Sequence, residues 1–335
     1  MPRRDLLIAT GALLSAPLIL RAQAQKRLPV LGLLLPGSTP STTFMSPFEK
    51  RLNELGWIEG KTLLVERVSA EGKFDRLPEL AATLVAKKVD VIWTSSPFGA
   101  IAAARATTTI PIVFWRVSPP VEYGLVDSLA RPGRNVTGSA WFADVSTFAK
   151  RIQLLRELAP KARRLAFLGV MPGTFRTVSG EIADFQPFRD KTDAAARDLG
   201  FEFRRFEMAK PADFEPLLDA IAQWGADSLF VLDVPQTIAE RKRIIDFARR
   251  RRLFDIYETL EWTQAGGLIS YGAVLEPTLV RTAELVDRIL RGAKPADLPV
   301  ELPSHYELVV NLGTARALGH KVPQSILLRA DRVIE

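Results

Sequence analysis

Arg116 follows directly on the apolar run Ile112 to Trp115, and Ser95 and Ser96 follow the run Val89 to Thr94 and precede Pro97. A guanidinium at the end of a strand can grip a carboxylate with paired donors, or equally point outward or pair with Glu122. Two hydroxyls at the start of a helix, with the free backbone N–H groups there, add neutral donors for the same anion, and either serine can also cap that helix. Acids stand at matching places later in the chain: Asp233 ends the run Ser228 to Leu232, and Glu258 ends Asp255 to Tyr257. Asp233 suits a ligand amine or the cap of the next helix. Ser38, Thr39, Trp141, Thr174 and Tyr271 complete the polar and aromatic side chains at the ends of apolar runs. Trp115, Trp141 and Trp262 could stack on an aromatic ligand or belong to the core.

The chemistry open to these residues is that of holding a small charged molecule. The chain has no cysteine, its two histidines, His305 and His320, show no metal-ligand spacing, and there is no phosphate-binding glycine loop or G-x-S-x-G elbow. No nucleophile stands with its base, so neither a catalytic residue nor a metal nor a cofactor is expected.

The elements that position these residues are legible in the hydrophobic pattern. Short runs rich in Val, Ile and Leu alternate with longer stretches of helical period, the signature of a parallel sheet covered on both faces. Strands are expected at Val30 to Leu35, Leu63 to Val68, Val89 to Thr94, Ile112 to Trp115 and Val136 to Ser139, with helices at Phe44 to Leu55, Leu77 to Lys87, Gly99 to Ala106 and Val121 to Ala130. The order then repeats, with strands at Leu165 to Val170, Glu202 to Phe206, Ser228 to Leu232, Asp255 to Tyr257 and Gly267 to Ser270, and helices at Pro187 to Leu199, Phe214 to Trp224 and Ala239 to Arg250. A helix at Pro277 to Leu290 and the tail from Leu302 return to complete the fold. The fold class is therefore α/β, two doubly wound Rossmann-like lobes with a ligand cleft between them.

The first 24 residues read as a cleaved export signal. Arg3 and Arg4 precede an apolar run from Leu6 to Leu20, and Ala22-Gln23-Ala24 supplies the small residues that signal peptidases accept, giving a mature start at Gln25. The arginine pair leaves both the general and the twin-arginine routes open. The expected location is the periplasm. Without a cysteine the exported chain has neither disulfides nor a lipidated N-terminus. The formal charge of +7 falls to +5 once three arginines and Asp5 leave with the signal. The basic run Arg249 to Arg252, with Arg241, Lys242 and Arg243 before it, reads as a solvated helix end favoured by the macrodipole rather than a nucleic-acid site.

Several blocks of the sequence then carry a resemblance. They are Ile110-Pro111-Ile112-Val113-Phe114, Gly124-Leu125-Val126, Ser128 through Gly133, Asn135-Val136-Thr137-Gly138, Glu54 through Gly60, Asp75 through Ala81, Gly266 through Gly272 and Gly292 through Pro299. In that order the chain resembles a bacterial family of ABC transporter substrate-binding proteins that includes receptors similar to tryptophan and tyrosine binders. The resemblance implies a type I periplasmic binding fold: two lobes joined by three crossovers and closing on a small solute, with no catalysis. It implies a first lobe of residues 25–140 plus about 272–303, and a second of 141–271 plus about 304–335. Its implied partners are a small-molecule ligand, an amino acid or another carboxylate, and an ABC permease in the inner membrane, with the receptor a monomer. Delivery to a signalling sensor, and less readily an exported enzyme on the same scaffold, stand as alternatives. Where the family tends to carry Gly-Asp-Pro-Val-Gly, this chain has Ser118-Pro119-Pro120-Val121-Glu122. With an acid missing there and Arg116 beside it, the expected site is positive.

Overall fold

The computed structural model describes residues 27–37, 42–142, 146–170, 174–184, 186–208 and 213–335. The export signal with its processing site, Ser38 and Thr39 lie outside these. In chain order the first elements are β1 (Val30–Leu35), α1 (Thr42–Glu54), β2 (Leu64–Ser69), α2 (Leu77–Ala86), β3 (Val91–Ser95), α3 (Ser96–Ala106), β4 (Ile112–Trp115) and β5 (Val136–Ser139). Their strands form one sheet in the order β2-β1-β3-β4-β5, parallel throughout. Alternate side chains enter opposite cores: Leu31, Leu33 and Leu35 face α1, and Leu34 faces the α2 and α3 side.

The second set runs α4 (Ser146–Leu158), β6 (Arg164–Gly169), β7 (Thr174–Arg176), β8 (Ile182–Asp184), α5 (Gln186–Asp198), β9 (Glu202–Glu207), α6 (Phe214–Trp224), β10 (Ser228–Val231), α7 (Pro235–Ala239), α8 (Arg241–Arg251), β11 (Phe254–Tyr257), α9 (Leu260–Gln264) and β12 (Ile269–Ala273). The chain ends with α10 (Leu275–Leu290), β13 (Tyr306–Asn311), α11 (Leu312–Leu318), α12 (Gln324–Leu327) and β14 (Arg332–Ile334). Seven strands make the second sheet in the order β14-β13-β12-β11-β10-β6-β9. All its pairings are parallel except that of β12 with β13.

Helix α10 follows the second set in sequence yet packs on the first sheet. Leu279, Ala283, Val286 and Ile289, spaced along one face, fill the core beneath α1. Trp93 Nε1 donates to Thr282 Oγ1 at 3.0 Å, and Trp115 Nε1 donates to Thr278 Oγ1 at 2.9 Å. The chain therefore passes between the sheets three times: after β5, after β12, and between α10 and β13.

One expectation needs correction, and one element was not expected. The stretch Val121 to Ala130 is not a helix. Gly124 turns it at a φ of +71°, and Leu125 and Val126 each enter the α3-side core from irregular backbone. Its apolar spacing came from a loop covering a core, which periodicity alone does not separate from a helix. Conversely, α4 has no counterpart among the expected elements, although Phe148, Ile152 and Leu155 recur at helical spacing and are buried.

Candidate functional site

In both sheets the strand order reverses beside the first strand, between β1 and β3 in one and between β6 and β10 in the other. Ligands of doubly wound sheets sit outside the carboxyl ends at that reversal. Ser95 closes β3, Ser96 and Arg116 follow β3 and β4 on the first lobe, and Asp233 and Glu258 follow β10 and β11 on the second. The two lobes thus offer corresponding positions of opposite chemistry.

They meet. Arg116 Nη2 donates to Asp233 Oδ2 at 2.8 Å and to the Asp233 carbonyl at 3.3 Å, with the arginine side chain 13% and the aspartate 2% exposed. The guanidinium carbon lies 3.8 Å from the ring centre of Trp141 and 5.5 Å from that of Trp115. A guanidinium over an indole face is held by its attraction to the ring while its N–H groups still make hydrogen bonds. Arg116 has a φ of +59° and Ser96 of +67°, left-handed backbone that non-glycine residues adopt at a cost of about 1–2 kcal/mol. Strain of this kind collects where geometry matters more than local comfort.

The supports of Arg116 come from the end of β5 and from loops. Its backbone N–H donates to Ser139 C=O at 2.9 Å, extending the pairing of β4 with β5 by one residue. Ser118 Oγ accepts from the backbone of Trp141 at 2.8 Å and of Phe142 at 3.0 Å, and donates to Phe142 C=O at 2.8 Å. That hydroxyl ties the loop after β4 to the first crossover and so brings Trp141 beside Arg116. The expectation of a positive site therefore changes. The acid absent at Pro119 is matched by Asp233 from the facing lobe.

Asp233 is held on two further sides. Trp262 Nε1 donates to its Oδ1 at 3.0 Å, and its own backbone N–H donates to Glu258 Oε2 at 2.7 Å. Glu258 thus stands behind the cleft, fully buried, and not at its surface. Its Oε1 lies 2.6 Å from Arg151 Nη1 in an ion pair set off the line of a directed hydrogen bond, with both side chains within 1% of full burial. Arg151 Nε donates to Tyr271 C=O at 2.6 Å, just ahead of the second crossover. Burial pulls the Arg151 guanidinium down from the usual arginine range, and the neighbouring Glu258 charge opposes that pull. Gly272 is required here, because a Cβ on it would lie 1.7 Å from the Glu258 carbonyl oxygen.

Behind Trp262 the network continues. Tyr257 stacks on it with ring centres 4.7 Å apart, and Tyr257 Oη donates to Asp255 Oδ2 at 2.6 Å. Asp255 also accepts from Leu268 N–H at 3.0 Å, but full burial outweighs both bonds and raises its pKa to about 6.

The remaining expected residues separate. Ser95 occupies the cap position of α3 without a capping hydrogen bond, and Ser96 Oγ is buried with no hydrogen-bond partner among the described residues. Trp115 and Trp262 are fully buried, as core aromatics are, whereas Trp141 lies against the guanidinium. Thr174 is exposed at the start of β7, paired with Asp184 in a hairpin. Tyr271 stacks on Tyr306, 5.9 Å between centres, and lines a cavity of about 480 Å³ with Lys150 and Leu302 that Arg116 and Asp233 do not reach. Arg151 is the residue that sequence reasoning missed, and a charged residue inside the apolar stripe Phe148, Ile152, Leu155 was the available signal; Ser118 stood at the end of the strand run beside Arg116, without a role assigned to it.

The sequence pattern of the family described as ABC transporter substrate binding protein matches residues 41–334. The tyrosine-binding protein of Clostridioides difficile (strain R20291) is 26% identical over 272 residues, which are 81% of this chain and 75% of that protein. A conserved domain protein from Vibrio cholerae superposes with a TM-score of 0.80 at 25% identity, covering 92% of this chain and all of that one. An ABC domain from Streptococcus pneumonia solved in complex with L-Trp gives the same TM-score at 21% identity over the same shares, a likeness of fold. The architecture is that of type I periplasmic binding proteins, and with almost the whole described length matched, the chain belongs to the ABC transporter substrate-binding protein family.

Proposed function

We propose that this protein captures an amino acid with an aromatic side chain between its lobes and delivers it to an ABC permease of the inner membrane. The observation that carries the reading is the pair Arg116 and Asp233, one cation and one anion on facing lobes. An α-amino acid exchanges that single pair for two, its carboxylate on Arg116 and its ammonium on Asp233. Ser95, Ser96 and the free N–H groups opening α3 add neutral donors for the carboxylate. Trp141 presents an indole at the same place. The tyrosine-binding relative and the L-Trp complex of a structural neighbour support an aromatic amino acid.

Because the ligand touches both lobes, it stabilises the closed arrangement, and that closed shape is what the permease recognises. By chain order residues 25–140 with about 272–303 make up one lobe, and 141–271 with about 304–335 the other, a division that the packing of α10 on the first sheet supports. The working place is the periplasm, reached by cleavage after Ala24. N-terminal sequencing of periplasmic material should begin at Gln25, and an intact Met1 or Pro2 would overturn the export reading.

Thermal unfolding in the presence of L-tyrosine, L-tryptophan, tyramine, which lacks the carboxylate, and 3-(4-hydroxyphenyl)propionate, which lacks the amine, tests the ligand class. A ligand at a hundred times its Kd adds about 2.7 kcal/mol to apparent stability. The two amino acids should raise the melting temperature more than either analogue. A rise with neither amino acid sinks the proposal.

A further inference from the structure

Between β6 and α5 the second set of elements puts out the hairpin β7–β8, and that hairpin is anchored on the first lobe. Arg105, in the last turn of α3, donates through Nη2 to the carbonyls of Arg176 at 3.1 Å and Thr177 at 2.5 Å. The Val178 N–H donates to Tyr123 C=O at 3.1 Å. The rings of Tyr123 and Phe175 meet edge to face with centres 4.3 Å apart, and Phe175 and Val178 pack on the α3-side core of the first sheet. Two strands of three residues each are too short to hold together alone in water, so the order of the hairpin comes from what it docks on. Arg105, Tyr123 and Gly124 lie outside all three crossovers.

We infer that β7–β8 is a strap that moves with the first lobe although its chain neighbours belong to the second, giving the lobes a fourth and non-covalent link. This rests on the hinge-closure reading above. Charge-assisted hydrogen bonds, a backbone hydrogen bond and an aromatic contact all attach it to one lobe, and rotation about the crossovers preserves them together only if the strap travels with that lobe.

The absence of cysteine makes the test clean. A Cβ on Gly124 would lie 3.9 Å from Thr177 Cβ, within the span of a disulfide, so the double variant Gly124→Cys/Thr177→Cys should oxidise to an intramolecular cross-link in high yield. With L-tyrosine as probe, the cross-linked protein should contract in small-angle scattering as much as the wild type does. Failure to cross-link, or a cross-linked form that no longer contracts while its reduced form does, overturns the inference.

Gly124 has a left-handed φ, and should the cysteine pair fold poorly, Arg105→Ala/Phe175→Ala provides the second arm. There the Val178 amide should exchange hydrogen faster than in the wild type while amides of β1 and β6 stay as protected as before. Unchanged exchange at Val178 overturns the inference. A wild type that does not contract with L-tyrosine fails the hinge-closure reading instead, and cross-link yield and Val178 exchange still decide whether the strap is docked.

Discussion

Removing the Arg116 side chain takes away the cation of the cross-lobe pair while leaving its support, Trp141, in place. Arg116→Ala should weaken L-tyrosine binding by roughly 1.5–3 kcal/mol, the worth of a hydrogen bond to a charged group, or tenfold and more in affinity. Calorimetry giving an unchanged affinity would remove Arg116 from the site. Asp233→Asn should weaken the amino acid yet spare the analogue without an amine, and equal losses for both would assign Asp233 to the fold alone. Asp255 makes a prediction of another kind. Its folded pKa of about 6 stands above the usual carboxylate value, so between pH about 4 and 6 the folded protein holds a proton that the unfolded chain has released. Stability from this group is therefore greatest in acid and falls as pH rises through that window, by on the order of 3 kcal/mol. Denaturation of wild type and Asp255→Asn across that range should give a stability difference that shifts against the wild type as pH rises; a constant difference refutes the assignment.

Among the elements, α10 shows what a helix grafted from far along the chain requires. Thr282→Val keeps the shape of the contact but leaves the Trp93 indole N–H buried without its acceptor, which should cost about 1–3 kcal/mol in denaturant unfolding. An unchanged midpoint would mean that the hydroxyl is dispensable. Most strands of the two sheets were legible in the sequence as short apolar runs, and Ile112 to Trp115 and Val136 to Ser139 coincide with β4 and β5, whereas β13 and β14 lie in the tail to which no strand was assigned. The hairpin β7–β8 was not legible, since Thr174 to Arg176 and Ile182 to Asp184 are half or fully exposed and carry no apolar pattern. At the site, strand ends pointed to Arg116 and Asp233, whereas their pairing depends on how two lobes face each other, which no local pattern encodes. Glu258 illustrates the limit. Its place after an apolar strand matched a cleft residue, but a buried arginine from α4, more than a hundred residues earlier in the chain, claims its charge.

For the molecule as a whole, the proposed function predicts a monomer whose radius of gyration falls with ligand, because delivery to a permease needs both lobe rims free. Scattering on the wild type with L-tyrosine tests this, and a larger mass or an unchanged radius would count against it. The division of the first lobe between both ends of the chain also orders events in time. Trp93 waits for Thr282, a partner 189 residues further along, and the core beneath α1 stays open until Leu279, Ala283, Val286 and Ile289 have been made. Non-local closure of this kind is slow, and a chain is synthesised from its N-terminus. The first lobe begins first and finishes late. Until α10 is made the earliest strands lack part of their core, and under the export reading proposed above that unfinished chain suits the general route, which threads its cargo unfolded.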